Sequence, residues 1–206
     1  ANAGSYTISN LSGISIADGS GGAASNYTLT GGTHSFAINP KAVNIAGSRQ
    51  YNGSTNIASS DISGITGTVN TETLTMSSGL GSTASANVGT YNLTDTSAGT
   101  LALGNGSNGG LAANYTLTGG TQIYTITRKI LGSSGSKTYD ANTNALAGAI
   151  TLSGLVSGEA LNHSGTATIG SANAGSYTIS NLSGISIADG SGGAASTDTR
   201  TGGPHH

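Results

Sequence analysis

Apolar and polar residues alternate along most of this chain, in short runs. Ser5-Tyr6-Thr7-Ile8-Ser9 alternates, as do Ile14-Ser15-Ile16-Ala17, Tyr27-Thr28-Leu29-Thr30 and Thr33-His34-Ser35-Phe36-Ala37-Ile38. The pattern returns at Thr73-Leu74-Thr75-Met76, Leu101-Ala102-Leu103, Tyr115-Thr116-Leu117-Thr118 and Ile123-Tyr124-Thr125-Ile126. A period of two puts successive side chains on opposite faces of a strand, so one face of each run is buried. Thr and Tyr suit such strands, because branched and aromatic groups pack on a pleated surface. No stretch keeps a helical period over a useful length. The best candidate, 136–149, contains Asp140-Ala-Asn-Thr-Asn and reads as a turn and loop. The Gly-Gly pairs at 31–32 and 119–120 separate strand-like runs. They fit a two-residue hairpin turn or a bulge in one long strand.

The chain also repeats itself. Residues 1–25, ANAGSYTISNLSGISIADGSGGAAS, recur unchanged at 172–196, and a diverged copy lies between them. ANVGTYNL at 86–93 echoes ANAGSYTI, and NYTLTGGT occurs at 26–33 and again at 114–121. Ile38-Asn-Pro-Lys41-Ala-Val43 matches Ile126-Thr-Arg-Lys129-Ile-Leu131, and Tyr51-Asn-Gly-Ser-Thr matches Tyr139-Asp-Ala-Asn-Thr. The period is about 88 residues, one small domain. The prediction is an all-β fold of tandem Gly/Ser/Thr-rich, antiparallel, β-sandwich-like modules of about 85–88 residues, set end to end. Lys41, Lys129, Tyr51 and Tyr139 mark the repeat. They divide the chain into the C-terminal half of a module (1–43), a complete module (44–131) and the N-terminal part of another (132–196). A chain that starts inside a repeat is expected to be a fragment of something longer. TDTRTGGPHH (197–206) breaks the repeat and reads as vector sequence with a truncated His tag.

Composition narrows the function. Hydrophobic residues make up 34% and charged residues 7%, with 35 Gly, 2 Pro and a net charge of −2. Disordered chains are rich in charge and Pro, so the low apolar content points to many short strands and turns. A net charge this small gives no case for nucleic acid or an acidic membrane surface. With no cysteine, a disulfide framework, a thiolate metal site and a cysteine nucleophile are excluded. No run approaches the roughly 20 apolar residues of a membrane-spanning helix.

Candidate chemistry is sparse. The acids, Asp18, Asp61, Glu72, Asp95, Asp140, Glu159, Asp189 and Asp198, are scattered, and His34 and His163 are the only histidines outside the tail. Acid–base catalysis needs a paired, tuned set, so no enzyme and no cofactor are expected. Asp140, Asn142 and Asn144 have the alternate spacing of a calcium loop but lack its later Gly and Glu, and a side-chain-capped turn is the simpler reading. Tyr6, Tyr27, Tyr51, Tyr91, Tyr115, Tyr139 and Tyr177 would stack on glycans if exposed in a stripe. In a chain with one Phe and no Trp they read better as core bulk. Asn-x-Ser/Thr sequons occur at Asn10, Asn26, Asn52, Asn92, Asn105, Asn114, Asn162 and Asn181, with Asn26 and Asn114 as the candidate glycan acceptors. Lys41 and Lys129 share a repeat position. They read as solvated lysines at a junction, with an intramolecular isopeptide bond as the alternative. Ice binding needs a short, constant Thr period that the unit lacks.

Taken together, Lys137-Thr-Tyr139-Asp140-Ala-Asn-Thr143, Leu152-Ser-Gly-Leu-Val-Ser-Gly-Glu159, Ala172-Asn-Ala-Gly-Ser-Tyr177, Asn114-Tyr-Thr-Leu-Thr118 and Ile38-Asn-Pro-Lys41 resemble the tandem MBG and YDG repeats. These mostly-β, glycine-rich domains occur in large bacterial surface proteins, many of them filamentous-haemagglutinin-like adhesins. The resemblance covers nearly all of 1–196. It departs at Asn52, where the family often has Asp, at Ala141, where it often has Gly, and at Arg128, where the earlier copy has Pro40. It implies an extracellular repeat at the bacterial cell surface with a stalk or adhesive role, and it supplies no ligand. Expected partners are neighbouring repeats of the same chain, other copies through strand pairing, and an unspecified surface ligand. The competing readings are a fibre built by strand complementation, with residues 26–43 completing the module begun at 132–196, and a glycan- or receptor-binding repeat.

Overall fold

The computed structural model describes residues 1–195 and the strand at 198–200; the rest of the tail lies outside the described residues. The described chain is all-β, with one four-residue helical turn, Asp95–Ala98, and a few 3-10 turns. β1 (Gly4–Thr7) and β2 (Ser35–Ile38) come first. The central part holds β3 (Lys41–Ala42), β4 (Asn44–Gln50), β5 (Asn56–Ala58), β6 (Ile62–Thr66), β7 (Leu74–Ser78), β8 (Leu80–Ser82), β9 (Gly89–Leu93), β10 (Ala102–Asn105), β11 (Tyr115–Thr116) and β12 (Gln122–Thr127). Then follow β13 (Lys129–Gly135), β14 (Asn144–Leu146), β15 (Ile150–Ser153), β16 (Leu161–Ile169), β17 (Ile179–Asn181), β18 (Ile185–Asp189) and β19 (Asp198–Arg200).

The central module is built on a four-stranded sheet in the order β6-β4-β12-β9. The β5–β8 pair lies over it, and Tyr51, Ile57, Leu93, Tyr124 and Ile126 fill the space between. Burying a large apolar side chain contributes about 1.5–3 kcal/mol, so a core this small leaves each module modestly stable. Most pairings are antiparallel, as the alternation predicts. Three are not: β4 with β12, β3 with β11, and β13 with β19 run parallel. The first two join the start of the central module to its end, across a connection no hairpin makes. Such long-range closure leaves no local sequence signal.

The second module repeats the first. β14, the 3-10 turn Ala147–Ala149 and β15 match β5, Ser59–Asp61 and β6. β16 combines the counterparts of β7 and β8 in one strand, with Gly165 (φ 101°) where Gly79 (φ 102°) separates the two. A Cβ at either position would lie about 2 Å from a backbone carbonyl, 2.0 Å from Thr100 O or 1.9 Å from Gly184 O, so both the conformation and the close approach require Gly.

The Gly-Gly segments are neither hairpins nor bulges. Gly32 N bonds Leu29 O at 3.4 Å and Gly120 N bonds Leu117 O at 3.2 Å, with Gly31 and Gly119 at positive φ. Gly119-Gly120 is a turn at a corner, because β11 pairs with β3 while β12 moves on to β4; no strand precedes Gly31-Gly32, since the alternating run at 27–30 forms none. Positive φ at the third residue of a turn selects Gly whether or not the flanking strands pair, which is why the sequence left the choice open.

Candidate functional site

The most elaborate polar structure lies around the Tyr51 and Tyr139 loops. Lys137 Nζ donates to Asp140 Oδ1 at 2.7 Å, Asn142 O at 2.8 Å and Asn142 Oδ1 at 2.9 Å. Asp140 and Asn142 also cap the turn, accepting from the amides of Asn142 and Asn144. Asp140 Oδ1 and both Asn142 oxygens, which the spacing would offer to calcium, are thus engaged by an internal ammonium and by backbone amides. The hydrogen bond from Lys137 holds the Asp140 carboxyl below its ordinary range. In the central module Arg49 stands at Lys137's place and donates to Asn52 Oδ1 and Ser54 O. Among the described residues no group of three or more His, Cys, Asp or Glu is placed to hold a metal.

A second motif pairs tyrosine with glutamate. The Tyr115 hydroxyl accepts from Val69 N at 3.0 Å and donates to Glu72 Oε2. That bond to Glu72 raises the phenol's pKa. Val156 and Glu159 occupy the positions of Val69 and Glu72 in the next module. There Glu159 Oε1 accepts from Tyr51 of the preceding module, and Val156 packs on the Tyr51 cluster. Glu159 Oε2 is buried without a hydrogen-bond partner. Tyr124, fully buried, donates to Asp61 Oδ2 at 2.9 Å, and burial first, then this bond, pushes its pKa upward.

The remaining predicted residues have structural surroundings. His34 Nε2 contacts Leu29 O at 2.7 Å, and His163 Nε2 contacts Ala147 O at 3.0 Å and Ile150 O at 2.9 Å. Carbonyl oxygens only accept, so each Nε2 carries the proton and is engaged by the backbone. Lys41 Nζ donates to Gly67 O at 2.8 Å. Asn114 is tied to the N-terminal segment, accepting from Ala3 N at 2.8 Å and donating to Asn2 Oδ1 at 3.2 Å, while Asn26 is exposed. A shallow hollow of about 320 Å³, lined by Leu101, Leu103, Tyr115 and Leu117 among others, contains no acid–base pair.

The tyrosines divide by context. Tyr51, Tyr115 and Tyr124 are buried, whereas Tyr6, Tyr27, Tyr139 and Tyr177 are exposed. The exposed ones stand at repeat positions of residues that are at least partly buried in the central module.

Two tandem segments, 37–123 and 124–197, match the YDG domain. The chain belongs to the YDG domain family. No curated protein and no solved structure matches it. In this YDG array the Tyr51 loop of one repeat touches the Val156–Glu159 turn of the next. The Tyr51–Glu159 and Tyr124–Asp61 bonds were not foreseen in the sequence. The recurrence of Val-x-x-Glu at 69–72 and 156–159 was the available signal for the first. Nothing in the sequence places Asp61 under Tyr124.

Proposed function

We propose that this chain is a structural spacer, a run of YDG modules from the repetitive region of a bacterial secreted or surface-anchored adhesin, which extends and presents rather than catalyses. The observation that carries this reading is the joint between successive repeats. Tyr51 lies in the core of one module, and its hydroxyl reaches Glu159 of the next beside Val156. A joint tied by a buried side chain restricts the angle between neighbours, as a stalk requires. The same reading suits a chain with 7% charged residues, whose surface hydroxyls and amides hold water without attracting polyions.

Small-angle scattering of the chain and of Glu159→Ala, extrapolated to infinite dilution so that each is read as a monomer, tests it. The expected outcome is a single well-defined maximal dimension for the parent, and a broader pair-distance distribution for the variant at unchanged mass. A parent distribution already as broad as the variant's would sink the stiff-spacer reading.

A further inference from the structure

The first 43 residues and the C-terminal module present complementary incomplete surfaces, and the central module gives the template by which they fit. β2 corresponds to β12. Phe36 stands opposite Tyr6 as Tyr124 stands opposite Tyr91. In the central module the other edge of β12 pairs with β4, and Tyr124 is 0% exposed; among the described residues the same edge of β2 has no partner, and Phe36 is 61% exposed. β13 corresponds to β3 and β4. Its edge over 132–135, opposite β15, is likewise unpaired among the described residues, and Tyr139 beyond it is 64% exposed where Tyr51 is 7%.

We infer that, wherever no neighbouring repeat of the same chain supplies the missing strands, a second copy of this chain covers these surfaces, the segment Tyr27–Ile38 of one molecule adding to β13 of another to complete its module as β11 and β12 complete the central one. The inference rests on reading the chain as an array of modules, and it names the partner of their open edges.

Three details select this occupant. Transferring the parallel register of β12 on β4, with Tyr124 beside Gly47, places Phe36 beside Gly135. There the packing is matched. The Tyr124 hydroxyl needs Asp61, whereas Ala149 holds the position of Asp61 in the second module and Phe36 brings no hydroxyl. An incoming Tyr would bury a donor without an acceptor; Phe does not. At the other end, Tyr27 takes the position of Tyr115, the tyrosine that donates to Glu72 Oε2. The equivalent atom, Glu159 Oε2, is buried and unpartnered, so the Tyr27 hydroxyl supplies the hydrogen bond it lacks. The incoming segment replaces β19, which lies parallel to β13 at 129–131 as β11 lies on β3. Residues 1–25 of the incoming chain and 172–196 of the host are identical, so either can complete the rest of the module with the same contacts. The contact joins two different surfaces and is therefore head-to-tail and open-ended.

Light scattering of the full chain over a dilution series reads the association. The expected result is a mass that rises with concentration. Phe36→Asp puts a charge where an apolar ring is to be buried, and Ser133→Pro removes an N–H from the open edge of β13 while leaving the pairing of that strand's other edge to β15. Each variant alone stays at monomer mass, with circular dichroism confirming that it is folded. Mixed, they form a 1:1 dimer and stop there, because Phe36→Asp retains an intact β13 edge and Ser133→Pro an intact β2. Tyr27→Phe weakens association about tenfold, the effect of leaving Glu159 Oε2 unpaired. A parent that keeps monomer mass at every concentration overturns the proposal, as does association that survives both Phe36→Asp and Ser133→Pro. Neither outcome touches the stiff-joint reading, which depends on Tyr51 and Glu159.

Discussion

At the scale of single residues, this chain places its few strong polar groups where strands need to be locked. Gln122, 2% exposed, is satisfied on every side. It accepts from Ile45 N at 2.9 Å and donates to Leu117 O at 2.7 Å and Val43 O at 3.2 Å. His34, at the same repeat position, keeps only the contact to Leu29 O, the counterpart of Leu117. Tyr124 has a testable pH signature. Its pKa is raised in the folded state by burial and by Asp61. The fold therefore favours the neutral phenol. That stabilisation is complete below the ordinary tyrosine pKa of about 10 and is lost as pH rises beyond it. Tyr115 acts in the same direction. Tyr124→Phe is expected to flatten the alkaline limb in part and to cost about 0.5–1.5 kcal/mol at neutral pH, measured by denaturant titrations at pH 8 and 11. An alkaline limb that is unchanged in the variant would assign the sensitivity to other groups.

At the scale of elements, the duplicated 25-residue segment is a natural experiment. Both copies form the same turns: Ile14 N bonds Leu11 O at 2.9 Å and Ile185 N bonds Leu182 O at 3.0 Å, while Gly19 N bonds Gly22 O and Gly190 N bonds Gly193 O, each at 3.0 Å. Both use the same acid to cap the next turn, Asp18 Oδ1 accepting from Ala24 N at 2.6 Å and Asp189 Oδ1 from Ala195 N at 2.8 Å. Yet Ile-Ser-Ile-Ala-Asp forms β18 on β16 at 185–189, and no strand at 14–18. Ile185 is 1% exposed and Ile14 is 55%. Amide exchange followed by NMR, which separates the two copies, should find Ile185 and Ile187 protected and Ile14 and Ile16 exchanging at rates near those of an unfolded chain. The contrast is read on the Phe36→Asp monomer, where association cannot protect the first copy. Equal protection there would mean that the segment carries its own strand structure.

At the scale of the whole molecule, stability is distributed unevenly. The central module has a closed core across both layers, whereas the second is built on small residues, Ala145, Ala147 and Ala167 with Ile150, Leu182 and Ile185. Repeat arrays unfold as sums of module and interface stabilities, so unequal modules separate. Calorimetry should resolve a lower transition for the flanking parts and a higher one for the central module. Ile126→Ala, emptying a fully buried site, should lower only the higher transition, by about 2–5 kcal/mol. A single transition shifted as a unit by that substitution would mean that the modules unfold together.

The sequence by itself determined whatever is settled within a few residues. Most strands follow from alternation, although the alternating runs at 14–17 and 27–30 form none, the turns follow from Gly, Asn and Asp, and the family from motifs whose order and spacing survive in two copies. The caps on Asp18 and Asp189 form in both settings because donor and acceptor are only six residues apart. Tertiary structure decided which strands pair. It fixed the parallel β4–β12 and β3–β11 contacts, the Tyr51–Glu159 joint, and whether one identical stretch becomes β18 or stays unpaired. The physical reason is that a strand satisfies its backbone only through a partner. Where the partner is distant in sequence, or lies in another module, the segment's own residues do not specify it.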